Sequence, residues 1–121
     1  MERTQCPCCK YLTLEDRGDF EICILCNWED DGQDDPYADE VWGGPNGNYS
    51  LSQARDNFKK HGVMYNEIEN NPSAKEKEIK NLLINAYRKL DLDKSIKKEE
   101  VWKEIVYYEE SLINERYSSE P

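Results

Sequence analysis

The sequence predicts a small α+β protein, and three observations predict it: two Cys-x-x-Cys pairs near the N-terminus, one short amphipathic stretch in the middle, and two longer ones toward the C-terminus. The pairs are Cys6/Cys9, within Cys6-Pro7-Cys8-Cys9, and Cys23/Cys26, within Cys23-Ile24-Leu25-Cys26, with thirteen residues between them. The two sulfurs of such a pair converge on one side of a tight loop. A second loop approaching face to face completes a tetrahedron of four thiolates, which is the donor set of a structural zinc site. The expected architecture is a zinc-ribbon-like β-hairpin with one Zn²⁺ on Cys6, Cys9, Cys23 and Cys26, followed by a short helix and a C-terminal antiparallel helical hairpin. The expected boundaries are 1–62 for the metal domain, 63–72 for a connector and 73–121 for the helical hairpin.

The hairpin is read from Lys10-Tyr11-Leu12-Thr13-Leu14 and Phe20-Glu21-Ile22, two β-prone segments flanking the turn signal Asp16-Arg17-Gly18-Asp19. From Trp28 to Asn48 the chain is rich in Asp, Gly, Pro and Asn, too polar for a strand and too broken for a helix, with Trp28, Tyr37 and Trp42 as its expected anchors. Ser50 and Gln53 have the spacing of a capping box. Leu51, Ala54 and Phe58 then share one face of a short helix that ends at Gly62. Ser73 and Glu76 form a second such box, ahead of a stripe at Ile79, Leu82, Leu83, Ala86, Tyr87 and Leu90. After a turn over 91–95, with Ser95 as the expected N-cap, a last helix from about Ile96 to Tyr117 places Val101, Trp102, Ile105, Tyr108, Leu112 and Ile113 on its inner side. So short a turn makes the two long helices antiparallel neighbours.

Composition narrows the function. Only 37% of the 121 residues are hydrophobic, so the core is thin. A zinc-binding free energy of about 10–16 kcal/mol in small zinc modules matches the roughly 5–15 kcal/mol by which whole domains are stable. Without metal, the N-terminal half is expected to be largely disordered. No apolar run is long enough to span a membrane, and Met1-Glu2-Arg3-Thr4-Gln5 lacks the order of a signal peptide. The protein reads as cytoplasmic, where thiols stay reduced and free for metal. Net charge is −10, and the acidity is concentrated: eleven acids and one base, Arg17, lie between Glu15 and Glu40.

The segments Cys6-Pro7-Cys8-Cys9, Tyr11-Leu12-Thr13, Gly18-Asp19-Phe20-Glu21-Ile22-Cys23, Trp28-Glu29-Asp30-Asp31-Gly32-Gln33-Asp34-Asp35-Pro36, Gly43-Gly44-Pro45-Asn46-Gly47 and Leu51-Ser52-Gln53-Ala54-Arg55-Asp56-Asn57-Phe58 together resemble the bacterial cysteine-rich CPCC family. The resemblance covers roughly residues 5–62. It implies a small zinc-ribbon-like domain, an association with bacterial conflict systems including toxin–immunity loci, and no catalytic assignment. Family members often carry proline after the first cysteine of the second knuckle; here Ile24 occupies that place and all four ligand positions are kept.

Four further features bear on chemistry. Cys8, at the apex of the first knuckle, is a spare thiol: a small residue tolerated in the turn, or a redox-sensitive sulfur. His61, the single histidine, is expected to be structural at the end of the short helix rather than a ligand or a catalytic partner of Cys8. The acidic run lacks the alternating acids and terminal Glu of a calcium loop. Gly43-Gly44-Pro45-Asn46-Gly47 lacks the lysine and hydroxyl of a phosphate loop and reads as a turn.

The expected function is a non-catalytic zinc-binding interaction module, most simply an immunity- or antitoxin-like or regulatory protein. Its acidic surface would meet a basic partner such as a toxin whose own site is positive. Glu29, Asp30, Asp31, Asp34 and Asp35 are the candidate contact acids, with Trp28, Tyr37 and Trp42 as candidate anchors. The alternative is a nucleic-acid-binding ribbon, for which the best basic cluster is Lys94, Lys97, Lys98 and Lys103. An enzyme is not expected, because four cysteines leave a zinc no open position for water.

Overall fold

The computed structural model describes residues 2–66, 72–92 and 97–118. Three α-helices follow a long non-helical N-terminal segment: α1 (Leu51–His61), α2 (Ala74–Leu92) and α3 (Lys98–Ser118). Two single 3-10 turns, Asp35–Tyr37 and Gly44–Asn46, punctuate the loop before α1. Contacts group the chain into two compact units, residues 2–71 and 72–121.

The expected β-hairpin does not form: among the described residues there is no strand, only the isolated antiparallel bridges Thr4↔Leu14 and Ile22↔Glu29. Each cysteine loop closes on its own flanks rather than on the other loop. Thr4 and Leu14 exchange both backbone hydrogen bonds, at 2.8 and 3.2 Å. Around the second loop, Phe20 N–H donates to Asp30 O at 2.9 Å and Asp30 N–H to Glu21 O at 3.0 Å. The segments read as partner strands therefore spend their backbone groups elsewhere. Just past the first segment, the Glu21 carboxylate takes the Glu15 N–H at 3.0 and 3.1 Å. Phe20, at φ 60°, breaks the extended run, and Phe20 and Ile22 are left exposed.

α1 follows its sequence signals closely. Ser50 Oγ accepts from Gln53 N–H at 3.1 Å, and Gln53 Oε1 accepts from Ser50 N–H at 2.8 Å, so two orphan donors of the first turn are satisfied reciprocally. Gly62, at φ 79°, ends the helix in the left-handed conformation that costs a residue without Cβ least, and its N–H bonds Phe58 O. Leu51 and Ala54 are fully buried, and Phe58 meets Tyr11 edge-on at a ring separation of 6.3 Å. Beyond Gly62, where the sequence suggests a connector, Val63 and Met64 are buried.

In the second unit, α2 and α3 pack on each other. Their ion pairs give the orientation. Lys75 with Glu115 and Glu76 with Arg116 join the start of α2 to the end of α3, and Lys89 with Glu104 joins the end of α2 to an earlier turn of α3. The helices are thus antiparallel. Ser73 Oγ accepts from Glu76 N–H at 3.1 Å and caps α2. The expected turn over 91–95 and its N-cap Ser95 lie mostly outside the described residues, and α3 begins at Lys98 rather than near Ile96. Ile79, Leu83, Ala86, Tyr87, Val101, Ile105 and Leu112 are buried, whereas Leu82 and Ile113, both expected inside, are exposed. A helix hides only a stripe about as wide as its neighbour, and residues at the stripe's edge stay in solvent. The buried Glu109 carboxylate is satisfied by the Tyr87 hydroxyl at 2.5 Å.

Candidate metal centre

Both cysteine loops repeat one backbone pattern. In the first, Cys6 N–H donates to Tyr11 O and Lys10 N–H donates to Cys6 O, each at 2.9 Å. In the second, Cys23 N–H donates to Trp28 O at 2.9 Å and Asn27 N–H to Cys23 O at 3.0 Å. The residue after each second cysteine, Lys10 or Asn27, takes positive φ, 71° and 70°. That turn swings both sulfurs of a pair to the same side.

The two loops face each other crosswise. Cys6 Sγ lies 3.6 Å from Cys26 Sγ, Cys9 Sγ lies 3.6 Å from Cys23 Sγ, and the four ligand atoms all lie within 4.8 Å of one another. A tetrahedral Zn²⁺ with Zn–S bonds of about 2.3 Å requires sulfurs about 3.8 Å apart, so the quartet fits a single ion of that size. All four residues are buried, and all five cysteines are free of disulfides. Carboxylates form no comparable group among the described residues.

The family model described as cysteine-rich CPCC matches residues 4–78, which include all four cysteines of the quartet. The chain belongs to the cysteine-rich CPCC family. No curated protein and no solved structure matches it.

The electrostatics of the CPCC quartet explain why a cation belongs there. Burial raises the Cys23 thiol, yet hydrogen bonds from Cys26, Cys6, Cys9 and the Thr13 hydroxyl outweigh it and hold this thiol well below its ordinary range. Its neighbours move the other way: Cys9 is raised chiefly by its bond to Cys23, and Cys26 by burial and then by its bond to Cys23. Four sulfurs this close cannot all ionise without a counter-charge. A divalent ion removes that conflict. Thr13 Oγ1, 3.1 Å from Cys23 Sγ, is a supporting donor to the ligand shell.

The outer frame reaches both loops. Arg55 of α1 donates from Nε to Pro7 O at 2.9 Å, and Met64 N–H donates to Cys26 O at 2.8 Å. Thr13, Arg55 and Met64 were not singled out by sequence reasoning, since nothing in their spacing marks a hydroxyl, a guanidinium or a backbone amide as a partner of a cysteine loop. Cys8 is buried but stands outside the quartet. His61, expected to be structural at the end of the short helix, is exposed in a last turn that also holds Lys59 and Lys60, and it stands outside the quartet.

The acidic loop divides into structural and surface members. Asp30 is fully buried, where its carboxylate takes Arg17 Nε at 2.8 Å, Gly18 N–H at 2.7 Å and Gly32 N–H at 3.1 Å. Trp28 is fully buried too. Both are therefore inaccessible to a partner, and the expectation of contact roles for them is corrected: they hold the loop from inside. Glu29 is tied by its backbone to the Asn46 side chain, which accepts from its N–H at 3.0 Å and donates to its carbonyl at 2.8 Å. Asp31 accepts from Gln33 N–H at 3.0 Å. Asp34 caps the Asp35–Tyr37 turn and takes Arg17 at 2.8 Å; that contact, foremost, holds its carboxyl below the ordinary carboxylate range. Asp35 is exposed, and its pairing with Arg55 and then Lys10 lowers it likewise. Tyr37 and Trp42 are exposed, with ring centroids 5.8 Å apart.

Proposed function

We propose that the protein is a non-catalytic interaction module in which one structural zinc ion organises an acidic surface for a basic protein partner. The observation that carries this reading is the closure of the quartet. Four buried cysteines within 4.8 Å of one another satisfy a tetrahedral ion completely and leave it no position for water or substrate. The metal then contributes stability, and function falls to the surface that it orders. That surface carries Asp34, Asp35, Asp39 and Glu40 within seven residues, on a chain of net charge −10 that becomes about −12 with four thiolates and Zn²⁺ bound. Charge of this density raises the encounter rate with a positive partner and repels nucleic acid.

The basic stretch weighed for nucleic acid supports that reading poorly. Lys97, Lys98 and Lys103 are interleaved with Glu99, Glu100 and Glu104, which breaks any continuous positive strip, and Lys94 lies outside the described residues. An immunity-like role is the specific form that this reading takes, with a toxin as the basic partner.

Two measurements test it. Metal analysis of purified protein is expected to give one zinc per chain, and a different ion or none removes the structural-zinc half of the reading. Size exclusion at low ionic strength with the product of the neighbouring gene is expected to give a stable complex that dissociates as salt rises. Failure to co-elute, together with retention of DNA in a gel shift, would favour the nucleic-acid alternative.

A further inference from the structure

Few large apolar side chains of the metal unit face solvent, and three that do lie within six residues: Tyr37, Val41 and Trp42, with fractional exposures of 51%, 52% and 45%. The two rings are tilted 49° to each other with centroids 5.8 Å apart. The backbone between them is pinned. Gln33, fully buried, donates from Nε2 to Tyr37 O at 2.6 Å and to Glu40 O at 2.7 Å. Asp39 accepts from Ser52 Oγ at 2.5 Å, and Ala38 O accepts from Ser52 N–H at 2.8 Å. The patch is therefore held by a buried amide on one side and by the first turn of α1 on the other. Exposed rings held in place lose little freedom when they bind, which is the economy that makes aromatic side chains interface anchors.

We infer that this patch receives an arginine side chain of the partner, a reading that rests on the proposed basic-partner function and gives it a place. Charge complementarity selects the occupant. Glu40 is exposed and lies between the two rings in the chain, with the exposed Asp39 beside it. A cation attracted to the face of Tyr or Trp sits within about 6 Å of the ring centroid, so at this separation one cation can lie within that distance of both rings. Guanidinium suits the site better than ammonium. Its plane stacks on an aromatic face while its edge donates in a fork to a carboxylate, and it is the more weakly hydrated of the two ions. An acidic surround excludes anionic lipid and phosphate backbones from the same rings.

Titration of the full-length zinc-loaded protein with an oligoarginine peptide, and with an oligolysine peptide of equal length, tests the inference at low ionic strength. Binding of oligoarginine is expected to be the tighter, with the largest NMR shifts at the Trp42 indole N–H, the Val41 methyls and the Tyr37 ring. The double variant Tyr37→Ala/Trp42→Ala is expected to bind about tenfold more weakly or worse, at unchanged zinc content and helix signal. Glu40→Gln is expected to lower affinity and to erase the preference for arginine. Equal affinity for the two peptides, or shifts centred elsewhere with wild-type affinity in the double variant, would overturn the arginine site and leave the basic-partner reading standing. No binding of either peptide by the wild-type protein would remove both.

Discussion

In residues 2–66 order is set at isolated points: a crosswise sulfur quartet, three positive-φ residues outside glycine, and side chains that bond backbone groups far away in the chain. In α2 and α3 it is set by a repeating stripe of buried residues, backed by ion pairs between the two helices. The first region has almost no repetitive backbone hydrogen bonding before α1, so each contact is hard to replace; the second distributes its stability along two helices, so each contact is one among many. Sensitivity to mutation and to metal should differ accordingly.

Loss of the metal that the quartet is proposed to hold would have the largest consequence. Chelation, or Cys23→Ser, is expected to abolish the tertiary structure of residues 4–64, because the lost binding free energy, about 10–16 kcal/mol in small zinc modules, exceeds what so thin a core supplies. Heteronuclear NMR would then show collapsed dispersion for the cysteine loops and Trp28, with helical shifts kept in α2 and α3. Loss of both units together would show a single cooperative body instead.

Arg17 probes the first region without touching the sulfurs. Arg17→Ala leaves the fully buried Asp30 carboxylate without its cation and is expected to cost about 3 kcal/mol in chemical denaturation, since breaking a buried pair strands a charge. In the hairpin, Leu83→Ala is expected to cost a similar 2–5 kcal/mol by leaving a cavity, yet to leave zinc affinity unchanged. Ser50→Ala removes one half of the α1 capping box and is expected to cost about 1 kcal/mol, read from the same denaturation curves.

The smallest effect is electrostatic. Asp34 has its folded pKa depressed foremost by Arg17, so its contribution is present above the ordinary carboxylate pKa and is lost as pH falls through the depressed folded value, a window below about pH 4. Asp34 is nearly half exposed, and solvent screening keeps this contribution slight. Carboxyl carbon shifts should place its midpoint below the ordinary range in the wild type and nearer to that range in Arg17→Ala.

The patterns that sequence carried well are those that arise from a few neighbouring residues. The Ser50/Gln53 box, the Gly62 stop, the Ser73 cap and the i, i+3, i+4 stripe of α2 are each written within one or two turns, and each appears where its chemistry requires it, apart from Leu82 at the edge of the stripe, which is exposed. The quartet was equally legible, because the turn after Cys6 or Cys23 must aim two sulfurs the same way whatever the rest of the chain does. What failed was pairing between segments. Lys10–Leu14 and Phe20–Ile22 have the residues of strands, but their backbone groups found nearer partners in Thr4 and in Glu29–Asp30.

Local chemistry along the chain is enough to mark the two cysteine pairs, the caps and the helices, because each depends on residues only a few positions apart. Contacts across space set the rest: the loops close on their own flanks, Asp30 and Trp28 lie inside while Tyr37 and Trp42 lie outside, and Arg55 and Met64 brace the two knuckles. Those outcomes turn on which of many competing donors and acceptors meet across space, and residue type alone does not rank them.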